Sequence, residues 1–290
     1  MLLTSFAGPA ANPQDILRVC EQAGATSIGL HAGLTRDQVD TLTTLLAGSS
    51  LKVRLVESPL GAGREGTARL SAIDRDEAQT ALSAARVTLR RASELGAHDV
   101  AVNLGEVVGL DRDWDYARGR FLRGTLDSAI ALKLKRARDS AKDRSFDAAR
   151  RSLEILASEA SDVRLLVRCP RRYVDFPSPI EWAQLVAELS GAPMAPLFDL
   201  PSAHLLDQMG FQPLDLTRET FAGPVVYVGD ACGPVGALGP GRGIVDVAEV
   251  VKQLGNKVER WAFRPWPGLS PAEVAEAFSG LSKIVPGLTE

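Results

Sequence analysis

Histidine and cysteine are scarce in this chain, with three of each among 290 residues. Cys20, Cys169 and Cys232 show neither CxxC nor mixed Cys/His spacing, which excludes a zinc-ribbon framework, and their odd number suits free thiols in a reducing compartment better than a disulfide scaffold. No segment approaches the ~20 consecutive apolar residues of a membrane span. The opening "MLLTSFAGPA" has no cationic n-region and its apolar stretch is too short for a secretory signal, so a soluble, cytoplasmic protein is expected. An excess of positive charge is missing as well. The formal charge is −3, which argues against general nucleic-acid affinity.

That total hides an uneven distribution. Between 118 and 151 there are eleven Lys/Arg and four Asp/Glu, a net +7 that leaves the remainder at −10. The basic stretch overlaps an irregular region, 106–144, which contains "RDWDYARGRFLRG" and then "IALKLKRARDSAKDRS" and is too long for an ordinary strand-to-helix loop. It reads as a lid or as an arm for a protein partner, or else as a solvated helical excursion.

What the chain has in quantity is one repeated unit. Apolar runs at 2–5, 27–31, 51–57, 99–103, 163–169, 195–199, 224–229 and 259–264 predict eight strands, with helical periodicity between them. Asn12-Pro13, Ser178-Pro179 with Glu181, and Ser270-Pro271 with Glu273 each place a capping side chain before a proline at the first helical position. Gly24, Gly96, Gly191 and Gly255 supply the left-handed residue that ends a helix. Eight such units predict an α/β fold, a (βα)8 TIM barrel spanning 1–290 as a single domain, with a helical lid or insertion at 106–144 after the fourth strand. A doubly wound open sheet is the alternative.

Several blocks resemble the xylose-isomerase-like TIM barrels, the superfamily of sugar isomerases, epimerases and endonuclease IV. "DRDEAQTALSAARVTLRRASELGAHDVAVNLG" is similar to that family's third helix and fourth strand, and "VRLLVRCPRRYVDFPSPIEWAQLVAEL" to its fifth strand and following helix. "PLFDLPSAHLL" resembles the sixth strand with its Asp-x-Gly-His end, "VVYVGDACGPVGALGPGRGIVDVAEVV" the seventh, and "AFRPWPGLSPAEVAEAFSGL" the last. The resemblance implies divalent ions in the barrel mouth, held by Glu, Asp and His at successive strand ends, because a cation polarises a carbonyl or activates water only when several ligands fix it. Here those positions hold other residues. The fourth-strand His position is Asn103, the fifth-strand Glu position Arg168, the sixth-strand His position Ser202, the seventh-strand His position Tyr227 or Gly229, and the eighth-strand Glu position Ala262 or Phe263. Asp199 alone matches a ligand. A guanidinium at a ligand position repels a cation at short range, so Arg168 is expected to pair with Asp199 across the mouth and no metal is expected.

The remaining candidates follow from strand ends. Glu57 closes the third strand and Asp230 the seventh, so that Glu57, Asp199 and Asp230 form the candidate acid, base or metal-binding set. His31 ends the second strand; His98 and His204 sit away from strand ends. Arg168, Arg171 and Arg172 in "VRCPRRY", with Arg264 in "FRPWPG", suit a carboxylate or phosphate held by fork-shaped donors, unless two of them simply pair with Asp175 and Glu181. The glycine-rich run 232–243 is a candidate phosphate cradle with Arg242 as its charge, or else a long turn. Cys232 has no base beside it to make it a nucleophile.

Two functions follow. The first is a metal-independent pseudoenzyme that binds an anionic small molecule, a sugar phosphate or sugar acid, through His31, Asn103, Arg168, Arg171, Arg172, Tyr227, Arg242 and Arg264, or that binds a protein partner through 118–151. The second is a sugar isomerase or epimerase with one divalent metal, Mn, Mg or Zn, in a reorganised site. Nucleic-acid processing is disfavoured, since the endonuclease IV chemistry needs more histidines than the chain has.

Overall fold

The computed structural model describes residues 2–4, 12–61, 68–266 and 268–285. Its strands are β1 (Leu2–Thr4), β2 (Ser27–Leu30), β3 (Lys52–Glu57), β4 (Asp99–Val102), β5 (Arg164–Arg168), β6 (Met194–Asp199), β7 (Val225–Val228), β8 (Asp230–Cys232), β9 (Val235–Leu238) and β10 (Arg260–Phe263). All but β8 and β9 run parallel and close in the order β1-β10-β7-β6-β5-β4-β3-β2. The open-sheet alternative is thereby removed, since β1 pairs with both β10 and β2. The eight expected strands lie within a residue or two of their predicted bounds; residue 5, at the predicted end of the first, is outside the described residues.

The barrel interior follows from the period of two along a strand. Leu55, Ala101, Leu166, Leu197, Val225, Tyr227 and Ala262 form an inner cluster. The alternate residues, among them Val56, Val100, Val102, Leu165, Val167, Phe198, Val226 and Phe263, belong to the larger core between sheet and helices. Continuing the inner face by two residues in either direction reaches Asp99, Arg164 and Arg260 at the strand starts, and Glu57, Arg168, Asp199 and Arg264 at the strand ends. The polar residues at both ends of the barrel are thus a direct result of strand parity.

The helices are α1 (Pro13–Gln22), α2 (Arg36–Ala47), α3 (Arg75–Glu94), α4 (Asp111–Leu122), α5 (Ser128–Ala141), α6 (Asp143–Glu159), α7 (Pro179–Glu188), α8 (Leu200–Gln208), α9 (Leu214–Phe221), α10 (Val247–Leu254) and α11 (Pro271–Ile284). Asn12 accepts from the Gln14 amide at the start of α1, and Ser178 and Ser270 form reciprocal capping boxes with Glu181 and Glu273. Each such cap is worth about 1 kcal/mol. Gly24, Gly96 and Gly191 adopt positive φ after their helices, as their positions require.

Between β4 and β5 stand three helices, α4 to α6. The first two have a core of their own: Ala117, Ala131 and Leu134 pack with Tyr173, Val174, Leu206, Met209 and Phe211. Arg138, one of the cations of the basic stretch, is buried and donates to both carboxylate oxygens of Glu181 at 2.7 and 2.8 Å, while lying 5.1 Å from the Phe176 ring centre. Its charge is spent inside the molecule. Among the described residues no helix is long and apolar enough to cross a membrane.

Candidate functional site

At the C-terminal ends of the strands the side chains converge on Glu57. Its Oε1 accepts three hydrogen bonds, from Arg168 at 3.0 Å, Tyr227 Oη at 2.8 Å and Arg264 Nε at 2.9 Å. Burial alone would raise the Glu57 pKa, but Arg264, His31, Arg168 and the Tyr227 hydroxyl together hold it well below the usual carboxylate range. Burial likewise opposes the charge on Arg168, and Glu57, Tyr227 and Asp199 outweigh it and raise its pKa. The Arg168 guanidinium also lies over the Tyr227 ring, 4.7 Å from its centre. Both groups are therefore permanently ionised.

The expected partnership of Arg168 with Asp199 exists only as a loose ion pair and is secondary to another. The two are 4.0 Å apart at Nε and Oδ2 without a hydrogen bond, and the bonded partner of Arg168 is Glu57, reached across the barrel. The reason lies in the chain after β6. Asp199 is the N-cap of α8, its Oδ1 accepting from the Ser202 amide at 3.2 Å, and this turns the carboxylate toward its own helix.

Two cavities open on this cluster. The first, of about 330 Å³, lies among α8, the β8–β9 hairpin and residues 264–266; the second, of about 410 Å³, is lined by Glu57, Asn103, Glu106, Arg69 and Arg168 among others. His31, Arg171, Arg172 and Arg264 line both. His31 Nδ1 accepts from the Gly33 amide at 2.7 Å, and Nε2 lies 3.6 Å from Glu57 Oε2 and in contact with Arg264 Nη2. Burial first, and then the arginines, lower its pKa to about 4 against the pull of Glu57, so the ring is neutral near pH 7.

Arg171 and Arg172 differ. Arg172 is claimed by Asp175 at 2.8 Å and by Glu106. Arg171 forms no ion pair within 4 Å among the described residues, and its buried Nε has no hydrogen-bond partner. Burial first, and then the nearby charges of Arg168 and Arg264, lower its pKa against the smaller pull of Asp175 and Asp199. It is a guanidinium beside two others, with carboxylates nearby but none ion-paired to it among the described residues.

Three candidates take other places. Asp230 opens β8 instead of closing β7, and its carboxylate accepts from the Ala231, Val245 and Gly243 amides at 2.8, 2.9 and 2.8 Å. It therefore fastens the glycine-rich loop internally and lines neither cavity of the mouth. The amides that would cradle a phosphate there are already turned onto Asp230, and at Gly243 a Cβ would lie 2.2 Å from the Ala231 carbonyl. Arg242 sits on the outside of the barrel, 3.1 Å from Glu276 of α11, and does not reach the mouth. Asn103 lines the second cavity, its Oδ1 accepting from the Gly105 amide at 3.0 Å. Ser202 lines the first. Cys169 is buried against the backbone of Asp199, and burial raises its pKa far above reactivity.

Sequence reasoning missed Glu106, Arg69 and Trp266. Glu106 follows β4 by four residues and collects Arg69 at 2.8 Å together with Arg172, binding three loops into one rim. Arg69 precedes α3 in a turn with no periodic signal, whereas Trp266 stands in the same "FRPWPG" that yielded Arg264.

Among the described residues no group of three or more His, Cys, Asp or Glu is placed to hold a metal ion. No protein-family model matches the chain, and no curated protein matches its sequence. Solved structures do. A protein from Rhodospirillum rubrum, provisionally assigned as a xylose isomerase, superposes with a TM-score of 0.69 at 15% identity, covering 99% of both chains. An L-ribulose 3-epimerase gives 0.66 at 12% identity over 98% of this chain and 94% of its own. A xylose isomerase-like TIM barrel protein from Mycobacterium smegmatis, in complex with magnesium, gives 0.61 at 13% identity over 98% and 95%. At such identities the likeness is one of fold, and this chain has the fold of the xylose-isomerase-like TIM barrels.

Proposed function

We propose that the mouth of this barrel binds an anionic small molecule, a phosphate ester or a carboxylic acid in the size range of a sugar phosphate or sugar acid, and does so without a divalent metal. The observation that carries the proposal is Arg171, a guanidinium lining both cavities, destabilised by Arg168 and Arg264, with no ion pair among the described residues. An anion would relieve that repulsion through a charge-assisted, fork-shaped contact. Arg264 and the neutral His31 border the same space and would orient the ligand, and Tyr227 would keep Glu57 aligned with its two arginines.

The donor set does not fit a cation. Glu57 Oε1 accepts from three donors, two of them guanidinium groups, and Asp199 is committed to the start of α8. A divalent ion brought to these carboxylates would meet Arg168 and Arg264 at contact distance. Near neutral pH Glu57 is held ionised and His31 neutral, so neither is protonated to serve as a general acid.

Calorimetric titration with inorganic phosphate and with sugar phosphates, at two salt concentrations, tests the reading. Binding that weakens with salt, and that weakens about tenfold or more in Arg171→Ala, is expected from the loss of a charged hydrogen-bonding partner. No anion binding, or binding indifferent to Arg171, would reject it. A melting temperature raised by Mn²⁺ or Mg²⁺ and restored by Asp199→Ala would instead favour a sugar isomerase or epimerase with a reorganised metal site.

A further inference from the structure

The two cavities that share the arginines are chemically unlike. Around the second, Glu57, Asn103, Glu106, Arg69 and Arg168 present charged and amide groups. The first joins Pro201, Leu205, Val228, Ala237, Pro265 and Trp266 to Arg171, Arg172, Arg264, His31, Asp199 and Ser202. We infer that the mouth selects an anion with an apolar, ring-sized body, the charged group lying at Arg171 and Arg264 and the apolar body in the cavity between α8 and the β8–β9 hairpin. This rests on the anion-binding reading and narrows its ligand class away from polyhydroxylated sugars.

Three observations support the assignment. A sugar body needs a donor or acceptor for each hydroxyl it buries; polar groups line part of this cavity, His31, Arg172, Asp199 and Ser202 beside the two arginines, but its six apolar side chains offer a hydroxyl no partner, whereas an aryl or alkyl body needs only contact. Asp199, the one carboxylate bordering this cavity among the described residues, already accepts from the Ser202 amide through Oδ1 and lies 4.0 Å from Arg168 through Oδ2, so it offers a sugar body few further acceptor sites. Finally, the wall is built at a cost. Ala237 is held at φ 58°, a left-handed conformation that disfavours a side chain, and its carbonyl accepts from the Trp266 amide at 3.4 Å. Gly236 packs so closely on α8 that a Cβ would lie 2.7 Å from Pro201. Together these bring hairpin, α8 and Trp266 around one space of about 330 Å³, enough for a single ring with its substituents. Trp266 is 38% exposed, an apolar plate at the rim that solvent alone does not explain.

The test compares anions matched in charge: phenyl phosphate against glucose 6-phosphate, and benzoate against gluconate, each titrated calorimetrically into the full chain, with inorganic phosphate as the bare head group. The aryl member of each pair should bind about tenfold tighter or more, the factor that a small patch of apolar contact supplies. In Trp266→Ala, with folding checked by circular dichroism, the ratio of phenyl phosphate to inorganic phosphate affinity should fall toward one. Equal or reversed preference would overturn the inference and leave anion binding standing. An aryl preference that survives in both Trp266→Ala and Leu205→Gln would remove it from this cavity. Failure of every anion, inorganic phosphate included, would reject the underlying reading itself.

Discussion

The two ends of this barrel carry the same motif to different ends. At the strand starts, Asp99 is gripped by Arg164 at 2.8 Å and by Arg260, and Arg164 also reaches Glu259 at 3.0 Å. At the strand ends, Glu57 is gripped by Arg168 and Arg264. Strands β5 and β10 supply an arginine to both clusters, because inward-facing positions recur every second residue. The difference is in the pairing and the access. The lower cluster sets two guanidinium groups against two carboxylates, and its arginines are 32% and 24% exposed, so water helps to solvate them. The upper cluster sets Arg168, Arg171 and Arg264 against Glu57 and Asp199, with Asp175 also near Arg171; Arg168 is 8% exposed and Arg264 21%. The lower cluster closes on itself, whereas the upper one borders two cavities and leaves Arg171 without an ion pair among the described residues, the arrangement expected of the anion receptor proposed above.

The sharpest way to break this contrast is to remove the upper carboxylate. Glu57→Gln leaves Arg168 buried without its counter-charge and should destabilise the protein by about 3–5 kcal/mol, whereas Glu57→Gln with Arg168→Met should recover much of the loss. Urea denaturation of the single and double variants measures the coupling. It should exceed that of Arg168 with Asp199, since those two are farther apart and unbonded. Additive losses would mean that Glu57 and Arg168 act independently.

A second separation comes from pH. An unfolded histidine takes up a proton near pH 6.5, while His31 in the fold resists it until about 4. Stability contributed by this difference is complete above pH 6.5 and is lost progressively as pH falls toward 4, by an amount on the order of 3 kcal/mol at most. Glu57 adds to the loss only below its unfolded value near 4.5, because its folded pKa is depressed. The melting temperature should therefore fall between pH 7 and 5, and His31→Gln should flatten that slope. An unchanged slope would show that His31 is hydrated, not enclosed by the upper cluster.

The smallest effect is expected at the lower end. Asp99→Asn keeps an acceptor for Arg164 and Arg260, which can turn further into water, and Glu259 remains, so a cost of about 1–2 kcal/mol is expected. Anion binding at the mouth should be untouched by it. A loss of binding comparable to that of Arg171→Ala would abolish the distinction between the two clusters.

Local signals carried most of the fold. The proline and serine caps of α7 and α11 and the apolar runs of eight strands are read within a few residues, and strand parity follows from them without knowledge of any neighbour. Reading strand ends was also enough to bring His31, Glu57, Arg168, Tyr227 and Arg264 into one group. It failed at Asp230 and Arg242, where the chain leaves the barrel and returns as a hairpin, because loop direction depends on hydrogen bonds such as Asp230 to the Gly243 amide, thirteen residues away.

By itself, then, the sequence determined the repeating unit, its eight occurrences and which residues stand at the ends of its strands, all of them consequences of short-range propensity and of the two-residue period of a strand. Closure into a barrel was decided by the pairing of β1 with both β2 and β10. Only the tertiary structure decided the partners. Arg168 hydrogen-bonds Glu57, 111 positions away, and keeps only a 4.0 Å ion pair with Asp199, which ends the adjacent strand and caps the next helix; Arg172 is neutralised by Glu106 while Arg171, one residue earlier, is left facing two cavities. Charge pairing in a buried cluster is settled by which donors reach an acceptor in three dimensions, and no spacing along the chain encodes that distance.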